Sequence, residues 1–212
     1  MEQLHLAGRP ISDPEGMLAR YANEHWRTLR DYDGIAGTST TVNEPIVAAT
    51  RRVASRISCT QGEWFIETSQ SAPWRLVPPG ARLQMADAST RNGLYDEALR
   101  LWNHFRENAP KGVAIAKISK VLYLVRPALF PILDSRMVRL YRDAAGRTAE
   151  DLRQADSPFL TRRMYWEAIR RDLVIGAEQF DAIQQRTRGS HPSLASLSDV
   201  RVHDILCWQL LH

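Results

Sequence analysis

Between Val113 and Val125 the spacing predicts a helix whose apolar residues do not keep to one face. Ile118, Val121, Leu122 and Val125 form one stripe, while Val113, Ala116, Tyr123 and Leu124 cover the other side. A helix that is apolar nearly all round is buried, so any fold this chain adopts must be built around it. Lys120 falls in the second group, with Ala116 at i−4, Tyr123 at i+3 and Leu124 at i+4. Burial disfavours the ammonium form and lowers a lysine's pKa, which turns the amine into a nucleophile. Lys120 is therefore a candidate catalyst.

Fourteen residues later comes a single carboxylate, Asp134, beyond Pro127 and Pro131. Proline fixes φ and interrupts helices, so the chain is expected to turn between them. Asp134 then sits where a new helix begins, running through Met137, Val138, Leu140 and Tyr141. Spacing alone favours an N-cap, in which the carboxylate accepts bonds from the free N–H groups of the first turn. Such a carboxylate is rigidly aimed, so a cap and a catalytic role are compatible.

The pattern Ser119-Lys120-x-Leu122, Arg126-Pro127, Pro131 and Asp134 resembles the helix-hairpin-helix DNA glycosylases, and within them an 8-oxoguanine-DNA-glycosylase-like family of bacterial proteins. A second segment carries the same likeness, the Arg201-x-x-Asp204-x-x-x-Trp208 helix near the end of the chain. The resemblance covers residues 111–145 and 196–209 and is thin elsewhere. It implies an all-α fold with two helical lobes around a cleft. It also implies a lysine that attacks the anomeric carbon of a flipped nucleotide and an aspartate that supports the cationic sugar. Asp134 matches that aspartate. Lys120 matches the Ser/Thr-Lys-x-Leu pattern, while Lys117 matches the lysine that opens the helix after the hairpin. The hairpin, expected as Gly-x-Gly, stands here as Gly112-Val113-Ala114 without its second glycine. In such hairpins backbone N–H groups meet a DNA phosphate. There is no four-cysteine cluster, which excludes the iron–sulfur branch.

Charge is concentrated around this site. The chain carries +4 from 28 basic and 24 acidic residues. Eight basic residues against two acidic ones lie between Lys111 and Arg147, so that segment holds +6 and the remainder −2. A phosphate-binding face needs such clustering, and Arg136 and Arg139 on the helix after Asp134 are its expected members. Arg162, Arg163, Arg170 and Arg171 read instead as a solvated face. A flipped base is held between aromatic or apolar side chains. Tyr123 and Phe130, near the catalytic candidates, are the first choices for that pocket, followed by Trp102 and Phe105. All four types fill cores more often than pockets.

The remaining chain is read as helices joined by polar loops. Starts are expected at Asp13-Pro-Glu, running to Tyr32, and at Asn43-Glu-Pro45, with further helices through Leu94–Phe105, at Thr148-Ala-Glu-Asp151, at Ser157-Pro-Phe, around Phe180 and Ile183, and last over Arg201–Trp208. Residues 60–88 are expected to be mostly loop, with Trp64–Glu67 as a possible short strand. The whole forms one unit over 1–212, with 1–90 as the N-terminal lobe and 91–212 as the lobe carrying the motif. Apolar runs are too short to span a membrane, the N-terminus lacks a signal pattern, and a cytosolic chain is expected. Cys59 and Cys207 are expected reduced. The six histidines are scattered, so neither a metal nor a cofactor is expected. The expected partner is double-stranded DNA bearing a flipped modified base, bound by a monomer. The substrate class is an oxidised purine or, equally, a modified base of phage DNA. Two alternatives stand beside the glycosylase: a non-catalytic DNA-binding module of the same fold, and a structural protein in which Lys120 pairs with Asp134.

Overall fold

The apolar segment forms a central helix. In the computed structural model, which describes residues 3–154 and 164–211, α6 spans Ile115–Val125, and every residue from Ile118 to Val125 is buried. Around it the described residues form ten further α-helices: α1 (Pro14–Glu24), α2 (Trp26–Asp31), α3 (Glu44–Ala49), α4 (Cys59–Gln70), α5 (Leu94–Glu107), α7 (Ser135–Leu140), α8 (Arg142–Gln154), α9 (Met164–Ile175), α10 (Ala177–Arg188) and α11 (Asp199–Gln209). The only strands described are β1 (His5–Leu6) and β2 (Arg9–Pro10), an antiparallel pair. The fold is all-α. Helices α3 and α5 pack on α6, while α1 and α7 pack on α11. No helix is long and apolar enough to cross a membrane, among the described residues.

The turn after α6 is held by side chains from distant elements. Arg126 is buried. Its Nε donates to the Val77 carbonyl at 2.8 Å, its Nη1 to the carbonyls of Val125 and Thr40, and its guanidinium lies over the Trp74 ring. Buried guanidinium donors need acceptors, and here three backbone carbonyls supply them. Ser198, the N-cap of α11, also donates from Oγ to the Pro127 carbonyl at 2.7 Å. The Arg-Pro motif therefore has a structural role, locking the end of α6 to three other segments.

Several elements differ from the sequence expectation. Residues 60–88 open with a three-turn helix, α4, rather than a loop or strand. Its signal is a capping box: Ser58 Oγ accepts from the Gln61 N–H, and Gln61 Oε1 accepts from the Ser58 N–H. Gly62 lies inside α4 because it faces α3; a Cβ there would meet Val47 Cγ1 at 3.1 Å. The first long helix breaks at His25 into α1 and α2. The helix from Asn43 is short and continues as a 3-10 turn over Thr50–Val53. Thr148 lies within α8 rather than opening a helix, because α8 already begins at Arg142. The expected start at Ser157-Pro-Phe, with Arg162 and Arg163, lies outside the described residues. The two cysteines are free, Cys59 exposed and Cys207 buried.

Candidate active site

One face of α11 builds the floor of a cavity. Arg201, Asp204, Ile205 and Trp208 recur at helical spacing, and all four line it. Lys120 from α6, and Asp134 and Arg136 at the start of α7, also line it. Tyr21 and His25 from the end of α1 complete an aromatic side. The His25 ring meets Trp208 edge-on at 5.0 Å and Tyr21 at 4.8 Å. The volume is about 420 Å³, within the range of roughly 300–1,000 Å³ usual for small-molecule sites.

Lys120 is buried, with 9% of its surface exposed. Its Nζ donates to the Val53 carbonyl at 2.7 Å. That carbonyl is presented by a strained turn, for the next residue, Ala54, sits at φ 56° in the left-handed region, which L side chains avoid. Burial lowers the Lys120 pKa, Asp134 raises it less, and Arg201 lowers it further. The balance holds its pKa below the ordinary lysine value. Lys120 is not ion-paired to Asp134 in the structural-protein sense, since its hydrogen bond goes to the backbone.

Asp134 is the N-cap of α7, accepting from the N–H groups of Arg136 at 2.9 Å and Met137 at 3.0 Å. The loop that delivers it is strung between two helices. Leu133 N–H donates to Ser119 Oγ, one residue before Lys120 on α6, and Ile132 N–H donates to Asp204 Oδ2 on α11, both at 3.1 Å. Ser119 and Lys120 thus divide the work, the serine fixing the carboxylate's loop and the lysine reaching the cavity.

Beneath the cavity lies a buried ionic cluster. Arg201 donates from Nε to Asp33 Oδ1 at 2.8 Å, from Nη2 to Asp33 Oδ2 at 3.2 Å, and to Tyr21 Oη at 2.9 Å. Tyr123 also donates to Asp33 Oδ1, and Tyr32 donates to the Lys120 carbonyl. The guanidinium lies 5.6–5.8 Å from the ring centres of Tyr21, Tyr32 and Tyr123. Arg201 therefore pairs with Asp33, not with Asp204 as an intrahelical partner. Two residues further along α11, His203 Nε2 lies 2.5 Å from Tyr141 Oη in a buried hydrogen bond. Burial opposes its protonation, but Cys207 and Asp204 outweigh burial and push its pKa up to about 10.

The other expected site residues lie elsewhere. Lys117 is half-buried, donates to Gln61 Oε1 at 2.7 Å, and does not line the cavity. The aromatic residues expected to hold a base are core residues. Tyr123 stacks on Tyr32, Trp102 and Phe130 pack with Trp166, and Phe105 packs with Phe65 and Trp74. All four are buried and none lines the cavity; Tyr123, Trp102 and Phe105 lie on the inner faces of their helices and Phe130 in the turn after α6. The hairpin between α5 and α6 is a tight turn closed by Val113 N–H to the Pro110 carbonyl, with Gly112 at φ +85°. Gly112 and Ala114 are exposed and Val113 is buried. Ala114 begins α6 without a side-chain cap, and its carbonyl accepts the Lys117 N–H at 3.0 Å. Arg136 and Arg139 are exposed on α7, and Arg136 reaches the cavity. Arg170 and Arg171 are paired with Glu167.

A family model for a family of unknown function, DUF6308, matches residues 16–211. The chain belongs to the DUF6308 family. No curated protein and no solved structure matches it. The match takes in every helix that lines the cavity. In this DUF6308 chain sequence reasoning missed Tyr21, His25, Asp33, Arg52 and Val53. They lie in the N-terminal region, far from the motif, and reach it only through the packing of α1 and the Thr50–Val53 turn. The capping Asp13 at the start of α1 was the nearest signal.

Proposed function

We propose that this DUF6308 chain is a DNA glycosylase that removes a damaged or modified base through Lys120 and Asp134. The observation that carries the reading is the meeting of these two residues on one cavity wall, the lysine desolvated and the carboxylate fixed by two backbone N–H groups. The cavity has an aromatic side for a flat ring, and the basic segment containing α6 and α7 supplies phosphate contacts. The helix–hairpin–helix order of α5, the Gly112 turn and α6 suits a two-lobed glycosylase-like fold around a cleft.

The neutral Lys120 Nζ attacks C1′ of the flipped nucleotide as the C1′–N bond breaks. The base departs with the bonding electrons and takes up a proton, and Asp134 stabilises the cationic sugar meanwhile. The amine loses a proton, the sugar ring opens, and a Schiff base forms. β-Elimination from that imine then nicks the strand. If Lys120 holds its proton, Asp134 activates water and the base alone is removed. An oxidised purine and a modified base of phage DNA remain the two substrate classes.

A DNA-binding module without catalysis is favoured by one observation, the bond that anchors Lys120 Nζ to Val53. The two readings separate on a panel of duplexes carrying oxidised, alkylated, deaminated and glucosylated-hydroxymethyl bases. A glycosylase leaves heat- or alkali-labile abasic sites on at least one of them. Binding that falls steeply with salt, without any abasic product, establishes the module instead.

A further inference from the structure

We propose that the rim of the cavity around Trp26 holds an unpaired DNA base beside the one in the pocket, so that the chain takes its strand single-stranded or locally opened. The proposal rests on the reading of the cavity as a base pocket and adds how the neighbouring strand is held. Trp26 opens α2 directly after the cavity residue His25, yet 49% of its surface is exposed. It is the aromatic one among the large apolar side chains that the described residues leave exposed. Two guanidiniums lie over its ring, that of Arg27 at 5.2 Å from the ring centre and that of Arg30 at 4.9 Å. Arg30 also pairs with Asp31, which pairs in turn with Arg52 at 2.7 Å. Arg52 lines the cavity, so a continuous set of side chains runs from the pocket to the exposed ring.

A single exposed apolar side chain is ordinary. Its enclosure by cations at the edge of a cavity is what selects a polyanion with flat rings. Arg27, Arg30 and Arg52 are all exposed, and only Asp31 offsets them within this set, which leaves the rim positive. A single strand needs both features, cations for its phosphates and an aromatic face on which a base stacks. A paired base offers no free face, because its neighbours in the duplex cover both; an unpaired base does. Cation–π contacts at an exposed site are weaker than base–aromatic stacking. A base therefore displaces a guanidinium from the Trp26 ring, and the exposed arginine turns to the adjoining phosphate. Asp31 meanwhile keeps Arg30 and Arg52 side by side at the edge of the pocket.

The test measures, by fluorescence anisotropy, binding of the full chain to three labelled DNAs of one sequence: a short single strand, its duplex with a small central bubble, and its fully paired duplex. The single strand and the bubble are expected to bind about tenfold more tightly than the paired duplex. Trp26→Ala should lose about tenfold on the first two and change the third by less than about twofold. Trp26→Phe should keep most of the preference, since a ring remains. Equal binding of all three DNAs by the wild type, no binding of any, or a preference unchanged in Trp26→Ala overturns the proposal. The wild-type order and Trp26→Phe decide the matter even if Trp26→Ala folds poorly. Release of abasic sites is followed alongside on the same DNAs carrying an oxidised purine. Abasic product without the strand preference removes the rim and leaves the glycosylase. A strand preference lost with Trp26, but no abasic product, removes the glycosylase and leaves the rim.

Discussion

Lys120 and Arg201 show how burial assigns opposite fates to two cations. Lys120 has a carbonyl at its tip and a carboxylate farther off, so desolvation wins and its pKa falls below the ordinary 10.5. Arg201 is enclosed more completely, and burial opposes its charge, but Asp33, Tyr21, Tyr123 and Asp204 outweigh burial and push its pKa well above the ordinary arginine value. The sign of the lysine shift makes a pH prediction. Between its lowered value and 10.5 the unfolded chain binds more protons at this group than the folded chain, so unfolding free energy rises with pH across that window. Urea melts at stepped pH should show that slope, and Lys120→Met should remove it. For Arg201, substitution by Met leaves Asp33 charged and buried without its partner. A loss of about 3–5 kcal/mol is expected in denaturant melts; a loss under about 1 kcal/mol would contradict the buried pair. The burial of Lys120 was legible because its neighbours at i−4, i+3 and i+4 are all apolar or aromatic. The partner of Arg201 was not legible, since Asp33 lies 168 residues away and Asp204 offers a plausible local pair.

At the scale of elements, periodicity located helices where one apolar face repeats, as in α5 and α9, and α6 by its being apolar nearly all round. It failed where capping chemistry was the stronger signal. Residues 60–88 contain two glycines and three prolines, which drew attention away from Ser58 and Gln61 at the start of α4. The Gln61 side chain also receives Lys117 Nζ and donates to the Lys111 carbonyl at 3.0 Å, so the cap of α4 braces the hairpin before α6. Ser58→Ala should therefore cost about 1 kcal/mol in stability, and amide exchange should quicken at Gly112 and Val113 as well as in the first turn of α4. Protection unchanged at the hairpin would show that the brace is idle. The prolines after α6 were read correctly as a turn, but the burial of Arg126 and its bonds to Val77 and Thr40 depend on long-range packing that no local pattern encodes.

For the whole molecule, the cavity joins regions that look unrelated along the chain. The N-terminal region brings Tyr21, His25 and Val53, the centre brings Lys120 and Asp134, and the C-terminal helix brings Asp204 and Trp208. The aromatic residues nearest the motif were needed for the core, so the cavity's aromatic side is built from residues at the two ends of the sequence. Positive charge belongs to this scale too. With +6 gathered between Lys111 and Arg147, DNA affinity should fall steeply between low and physiological salt, and Arg136→Gln with Arg139→Gln should flatten that slope by about two. A slope near zero in the wild type would argue against a nucleic-acid partner. The central claim is that Lys120 is the nucleophile of a base-excising enzyme. Borohydride trapping on the panel of modified duplexes tests it most directly, with wild type, Lys120→Gln and Lys117→Gln side by side. A covalent protein–DNA adduct formed by the wild type and by Lys117→Gln, and lost in Lys120→Gln, is the predicted result. An adduct that survives Lys120→Gln, or none with any duplex, would contradict it.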